Sequence, residues 1–121
     1  MITEGITEKA RELGRLIGQT DEYKALGRAR ERFSEDRAAV EQVNKLAKLE
    51  AEISSLLQRD EEPSEATREE YEQSFSVLQG NSSYQGMVAA QSNFDRMLAK
   101  VNEEISKGVE SGAQSRIILP S

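Results

Sequence analysis

The sequence contains neither cysteine nor histidine, so the charged groups that could do chemistry are carboxylates, guanidinium groups and lysine amines. That excludes disulfides, thiolate zinc sites, cysteine-held iron–sulfur clusters, histidine-ligated haem and any Ser–His or Cys–His nucleophile pair. It also excludes the Glu-x-x-His ligands of a di-iron helix bundle. Two acids remain as candidates for acid–base work. Glu50 falls near the centre of an apolar helical face and Asp95 on the margin of another. Burial in such places raises a carboxyl pKa. No second catalytic group stands near either in sequence, however. The competing reading makes Glu50, Gln91, Asp95 and Asn102 polar groups that satisfy one another or a basic side chain in a helix seam. Such groups set register and oligomeric state. This structural reading outweighs catalysis, so no enzyme, metal or cofactor is expected.

Arg28, Arg30, Arg32 and Arg37 form the one basic concentration. Glu31, Glu35 and Asp36 interleave with them, and no aromatic platform for stacking bases stands beside them. The expectation is a charge-mixed, solvated surface. An RNA-associated factor using the Arg28–Arg37 region is the alternative, although a formal charge of −6 argues against general nucleic-acid binding.

That charge is localised. Residues 1–59 carry eleven acids and eleven bases, and residues 73–121 carry four of each. Between them, Asp60, Glu61, Glu62, Glu65, Glu69, Glu70 and Glu72 face Arg68 alone, and this segment holds the entire excess. Carboxylates here suit a turn followed by a helix N-terminus, where they meet the positive end of the helix dipole. Glu61, Glu62, Glu65, Glu69 and Glu70 also make a candidate docking patch for a basic partner.

Five helices are expected to position these groups, as a single all-α domain with a core over residues 6–109 and a flexible tail over 110–121. Aromatics make up 5% and charged residues 31% of the chain, the thin-cored composition of a helical bundle. Ile6, Ala10, Leu13, Leu16 and Ile17 form a first helical stripe ending near Gly18. Thr20-Asp21-Glu22 offers a cap and acidic first turn for a second helix bearing Tyr23, Leu26, Ala29 and Phe33. Ser34 or Asp36 can cap a third helix over about 36–59. There Ala39, Val43, Leu46, Ile53 and Leu57 share a narrow sector, flanked by Val40 and Ala47 on one side and Leu49 and Leu56 on the other. The resulting arc is about 200° wide, twice what one core contact requires.

Pro63-Ser64 marks a turn and the start of a fourth helix with Tyr71, Phe75 and Leu78, ending at Gly80-Asn81. Thr67-x-x-Glu70 is a competing start. Ser82-x-x-Gln85 reads as a capping box for a fifth helix over about 83–109. Tyr84, Met87, Gln91, Phe94, Leu98, Val101, Ile105 and Val109 give that helix a heptad-like seam.

The third and fifth helices would be about 36 and 40 Å long. A compact globule of this size is only about 35 Å across. A lone pair of such rods leaves apolar surface in water, so a homodimer resembling a four-helix bundle is expected, or association with close relatives. Its core would be Val43, Leu46, Glu50, Ile53, Leu57, Met87, Gln91, Phe94, Leu98, Val101 and Ile105. The runner-up is a monomer whose two N-terminal helices fold back over the surplus face. The opening Met1-Ile2-Thr3-Glu4-Gly5 has no signal-peptide pattern, and no apolar run approaches the roughly 18 residues of a membrane span, so a cytoplasmic location is expected.

The order and spacing of these positions resemble the YlbF/YmcA/YheA family of small bacterial all-helical proteins. The resemblance runs over about residues 6–109. It is carried by Ala10-x-x-Leu13, Ile17, Glu22-Tyr23, Ala29, Asp36-x-x-Ala39, the acidic turn, Asn81-x-x-Tyr84, Ala90-Gln91, Phe94, Leu98, Val101-Asn102 and Ile105. It implies a helical dimer with long helices. It also implies a non-enzymatic regulator, since some members are subunits of a complex that promotes messenger-RNA processing by a membrane-anchored endoribonuclease. That complex influences competence, sporulation and biofilm formation. Members that carry an iron–sulfur cluster hold it with cysteines, which this sequence lacks. The shorter, cysteine-free branch is the nearer match.

Overall fold

Four of the five helices begin where a polar side chain takes over a backbone amide that the helix cannot satisfy. The computed structural model describes residues 2–118, with side chains described for residues 3–114. The helices are α1 (Ile2–Gly18), α2 (Asp21–Glu35), α3 (Arg37–Gln58), α4 (Glu65–Gln79) and α5 (Ser82–Ile118), and no strand occurs among the described residues. The Thr20 hydroxyl accepts from the Tyr23 amide at 3.2 Å, and the Asp36 carboxylate accepts from the Ala39 amide at 3.1 Å. The Ser64 hydroxyl accepts from the Thr67 amide at 3.2 Å, which settles the start of α4 in favour of Ser64. Each such cap contributes about 1 kcal/mol.

The start of α5 differs from expectation. Asn81 is the cap, its Oδ1 accepting from the Tyr84 amide at 2.9 Å. Gln85 donates instead to the Gln79 carbonyl at 2.7 Å, so the Ser82–Gln85 box does not form. The far end differs too. Helix α5 continues to Ile118 rather than ending near 109. Only Gly112 opposes helix between those positions, and the next true breaker is Pro120. Leu119–Ser121, the end of the expected flexible tail, lie outside the described residues, as do the side chains of Ile117 and Ile118.

The long helices do not pair with each other. Helix α2 packs on α5 and α3 packs on α4. Tyr23 meets Phe94 with ring centroids 5.5 Å apart, and Phe33 meets Tyr84 at 6.2 Å, so α2 and α5 run antiparallel. Leu26, only 2% exposed, and Ala90 are buried in these two helices. The short turn after α3 returns the chain at once, placing α4 against it. Leu46, Leu49, Ser74 and Leu78 are the buried residues of that hairpin beyond Ala39. Of the two N-terminal helices, α2 does fold back, whereas α1 makes only slight contact, chiefly with the adjoining α2.

One polar cluster ties the two pairs together. Asp36 Oδ2 accepts from the Ser83 hydroxyl at 2.6 Å and from Asn81 Nδ2 at 3.1 Å, while Oδ1 caps α3. The α2–α3 junction is thereby bonded to the α4–α5 junction, with Ser83 buried. The Ser83 bond first, then those from Asn81 and the Ala39 amide, hold the Asp36 carboxyl below its ordinary value of 3.8.

A group with a lowered folded pKa stabilises above its unfolded value, and that contribution is lost as pH falls through the folded one. Asp36→Asn is therefore expected to lower the melting temperature at neutral pH and to lessen the loss of stability below about pH 4. Ser83→Ala, which strips a buried donor from a carboxylate, should cost about 1–3 kcal/mol in urea unfolding. At the end of α3, the Glu61 amide donates to Leu56 O at 2.8 Å and the Asp60 amide to Leu57 O at 3.1 Å. This closing turn holds Asp60 at φ 58°, a position that favours glycine. Asp60→Gly should raise stability by about 0.5–1 kcal/mol in the same assay.

Candidate interaction surface

The third helix shows how the surplus apolar arc is divided. Packing against α4 leaves Ala39, Leu46 and Leu49 buried and Ile53 and Leu56 half-buried, along the Leu49 side of the arc. The other side stays open. Val43 is half-buried, while Ala47, Glu50 and Leu57 are exposed. Along α5, Met87, Gln91, Phe94, Leu98 and Val101 are half-buried, and Ile105 is exposed. The expected core residues are therefore spread over two separate helix pairs rather than gathered in one protomer core.

Glu50 does not occupy a buried site. It is exposed, and its Oε1 accepts from the Tyr71 hydroxyl at 3.2 Å. Partial burial first, and then Glu50, raises the pKa of Tyr71 above its ordinary value of 10.0, so the phenol keeps its proton at neutral pH. Asp95 belongs to a different cluster, accepting from Gln91 Nε2 at 2.9 Å while Arg30 donates to Gln91 Oε1 at 2.9 Å. The two carboxylates thus sit on different helix pairs. Gln91 and Asp95 do satisfy one another with a basic side chain at the α2–α5 seam. Arg28, Arg32 and Arg37 are exposed.

The acidic segment lies at the closed end of the α3–α4 hairpin. Glu61 is 3.9 Å from Arg59, Glu62 is 3.7 Å from Arg68 and Glu70 is 3.4 Å from Lys45, all of them exposed pairs. Such pairs contribute little to stability. Glu65 and Glu69 are exposed and have no ion-pair partner among the described residues. Beside this end runs a shallow, largely apolar groove lined by Glu50, Ile53, Ser54, Leu57, Gln58 and Tyr71. Tyr71 stacks on Phe75 at 6.3 Å, and Phe75 itself is exposed. Among the described residues, no group of three or more His, Cys, Asp or Glu could hold a metal ion. No helix of the described residues is long and apolar enough to cross a membrane.

Residues 6–110 match the family model Com_YlbF, described as control of competence regulator ComK, YlbF/YmcA. The chain belongs to the Com_YlbF family. No curated protein matches it. The Com_YlbF description names a control function, which makes a regulatory role the coarse reading for this chain. The matched span covers α2, α3 and α4 completely, together with most of α1 and of α5.

The contribution of Ser83 went unread from sequence. A serine beside a helix cap is ordinary, and only the fold brings Asp36 to it across 47 positions of chain. Asp36 and Asn81 were visible as turn and cap residues, but not as partners of each other.

Proposed function

We propose that this Com_YlbF protein is a non-enzymatic regulatory adaptor that works through protein–protein contacts. The observation that carries the reading is a coincidence of position. The sequence's whole charge excess and an open apolar groove meet at one end of the α3–α4 hairpin. Ile53, Leu57 and Tyr71 offer apolar surface, while Glu50, Glu61, Glu62, Glu65, Glu69 and Glu70 supply negative charge beside it. A partner segment with one apolar face and basic flanks, such as an amphipathic helix, is the chemistry this combination selects. Charge would steer the encounter and the groove would hold the bound segment.

The adaptor also associates with itself or with close relatives in this reading. Support comes from large hydrophobic side chains exposed on α1, α3, α4 and α5, surface that a second copy could cover. The family's control function supports a partner within a regulatory complex; in this reading, which draws on the resemblance alone, that complex is one acting on an endoribonuclease.

Glu65→Lys with Glu69→Lys tests the docking end, because neither side chain takes part in an ion pair within the hairpin. Capture of the wild-type partners from lysate should fall at least ~10-fold in the double variant, with its helical circular dichroism unchanged. Leu57→Glu should do the same through the groove. Partner capture that both variants leave intact would overturn the proposal.

A further inference from the structure

The groove at the hairpin end holds a single charged group. Of its lining residues, Glu50, Ile53, Ser54, Leu57, Gln58 and Tyr71, only Glu50 carries a charge. Among the described residues, the one bond that Glu50 makes comes from the Tyr71 hydroxyl, at 3.2 Å to Oε1, so Oε2 has no protein partner.

The hairpin supplies no cation for that oxygen. Residues three and four positions away share a helix face, and here they are the uncharged Leu46, Ala47, Ile53 and Ser54. Lys45 and Lys48 stand about 140–160° round the helix from Glu50, and Lys45 pairs with Glu70 instead. Arg59 and Arg68 pair with Glu61 and Glu62. In the open groove Glu50 is exposed and solvent can reach it. A segment seated in the groove excludes that solvent, and a carboxylate covered without a partner opposes binding. An occupant must therefore bring a donor into the groove itself, besides the charge on its flanks.

Two features choose the donor. With one oxygen already bonded to a phenol, the carboxylate still offers its second oxygen and a lone pair beside it, which a planar guanidinium can engage through two N–H groups. The Tyr71 ring borders the same space and lies parallel to Phe75, with 6° between the planes. Guanidinium groups stack on aromatic faces, whereas an ammonium, more strongly hydrated, gains less from either feature. A second copy is the wrong occupant on charge. A two-fold axis through the groove would set Glu50 and the seven acids of residues 60–72 against their own equivalents.

We propose that Glu50 is the specificity-determining residue of this groove, and that the partner is an amphipathic helix with one arginine inside its apolar seam, received by the Glu50 carboxylate and the Tyr71 ring together. The proposal rests on the docking reading above and adds what selects the occupant. A helix with leucine at that seam position covers the carboxylate and leaves it unpaired, so it is rejected.

Phage-displayed helical peptides test it, with a leucine seam, lysines on the flanks and each seam position randomised in turn, selected on the immobilised full chain. On the wild type, arginine should outcompete leucine at one seam position by at least ~10-fold. Glu50→Leu should reverse that preference. Glu50→Gln keeps an acceptor for Tyr71 but removes the charge, so it should cut the advantage of arginine to below ~3-fold. Its circular dichroism and urea unfolding should stay those of the wild type, which a merely structural Glu50 would not allow. Peptides that the wild type and Glu50→Leu enrich alike, or lysine enriched as strongly as arginine, overturn the selector and leave the docking reading standing. A wild type that enriches no peptide over the bare support overturns both. A Glu50→Leu chain whose sedimenting mass differs from that of the wild type would mark a second copy as the occupant and overturns the assignment as well.

Discussion

The carboxylate of Asp36 is the joint on which the arrangement of helices depends. One oxygen starts α3, and the other receives Ser83 and Asn81 from the turn that starts α5. These bonds connect two helix pairs that otherwise share little surface, α2 with α5 and α3 with α4. An ionised acceptor binding a buried hydroxyl makes a stronger bond than neutral groups do. It is also directional, which apolar contact is not. The joint therefore fixes the angle at which the hairpin leaves the α2–α5 pair, and so where its acidic end points.

From that joint the molecule extends in two directions with opposite surface chemistry. The hairpin carries the charge excess to one end, beside the groove of Ile53, Leu57 and Tyr71. The long rod of α5, about 55 Å from its residue count, carries exposed Ile105 and Val109 past its contact with α2. Each helix pair is only one contact thick, so few large side chains are fully enclosed and much apolar surface stays on the outside. A thin fold of this kind gives up core burial and leaves large apolar side chains at its surface.

Much of this was legible from residue spacing. Thr20, Asp36 and Ser64 announce helix starts, since short polar side chains compete for backbone amides wherever they stand. The heptad-like seam of α5 was visible because its period is a local property. The charge block was countable. The site was less legible. Glu50 lies at the centre of an apolar arc in projection, yet α4 takes the Leu49 side and leaves Glu50 exposed beside Tyr71. A helical projection shows which side chains share a face; it does not show which part of a wide face a neighbour will choose.

The sequence by itself determined five helices, the cap of α2 and the candidate caps of α3 and α4, the wide apolar faces of α3 and α5, and the concentration of negative charge in one turn. These follow from interactions within a few residues along the chain. Only the tertiary structure decided that α3 pairs with α4 and α5 with α2, that Asp36 reaches Ser83, and that Glu50 and Asp95 belong to separate clusters. The reason is that the apolar faces are wide and much alike, so apolar contact alone permits several pairings. The short turn after α3 and the directional bonds at Asp36 choose among them, and those bonds join residues far apart in the chain.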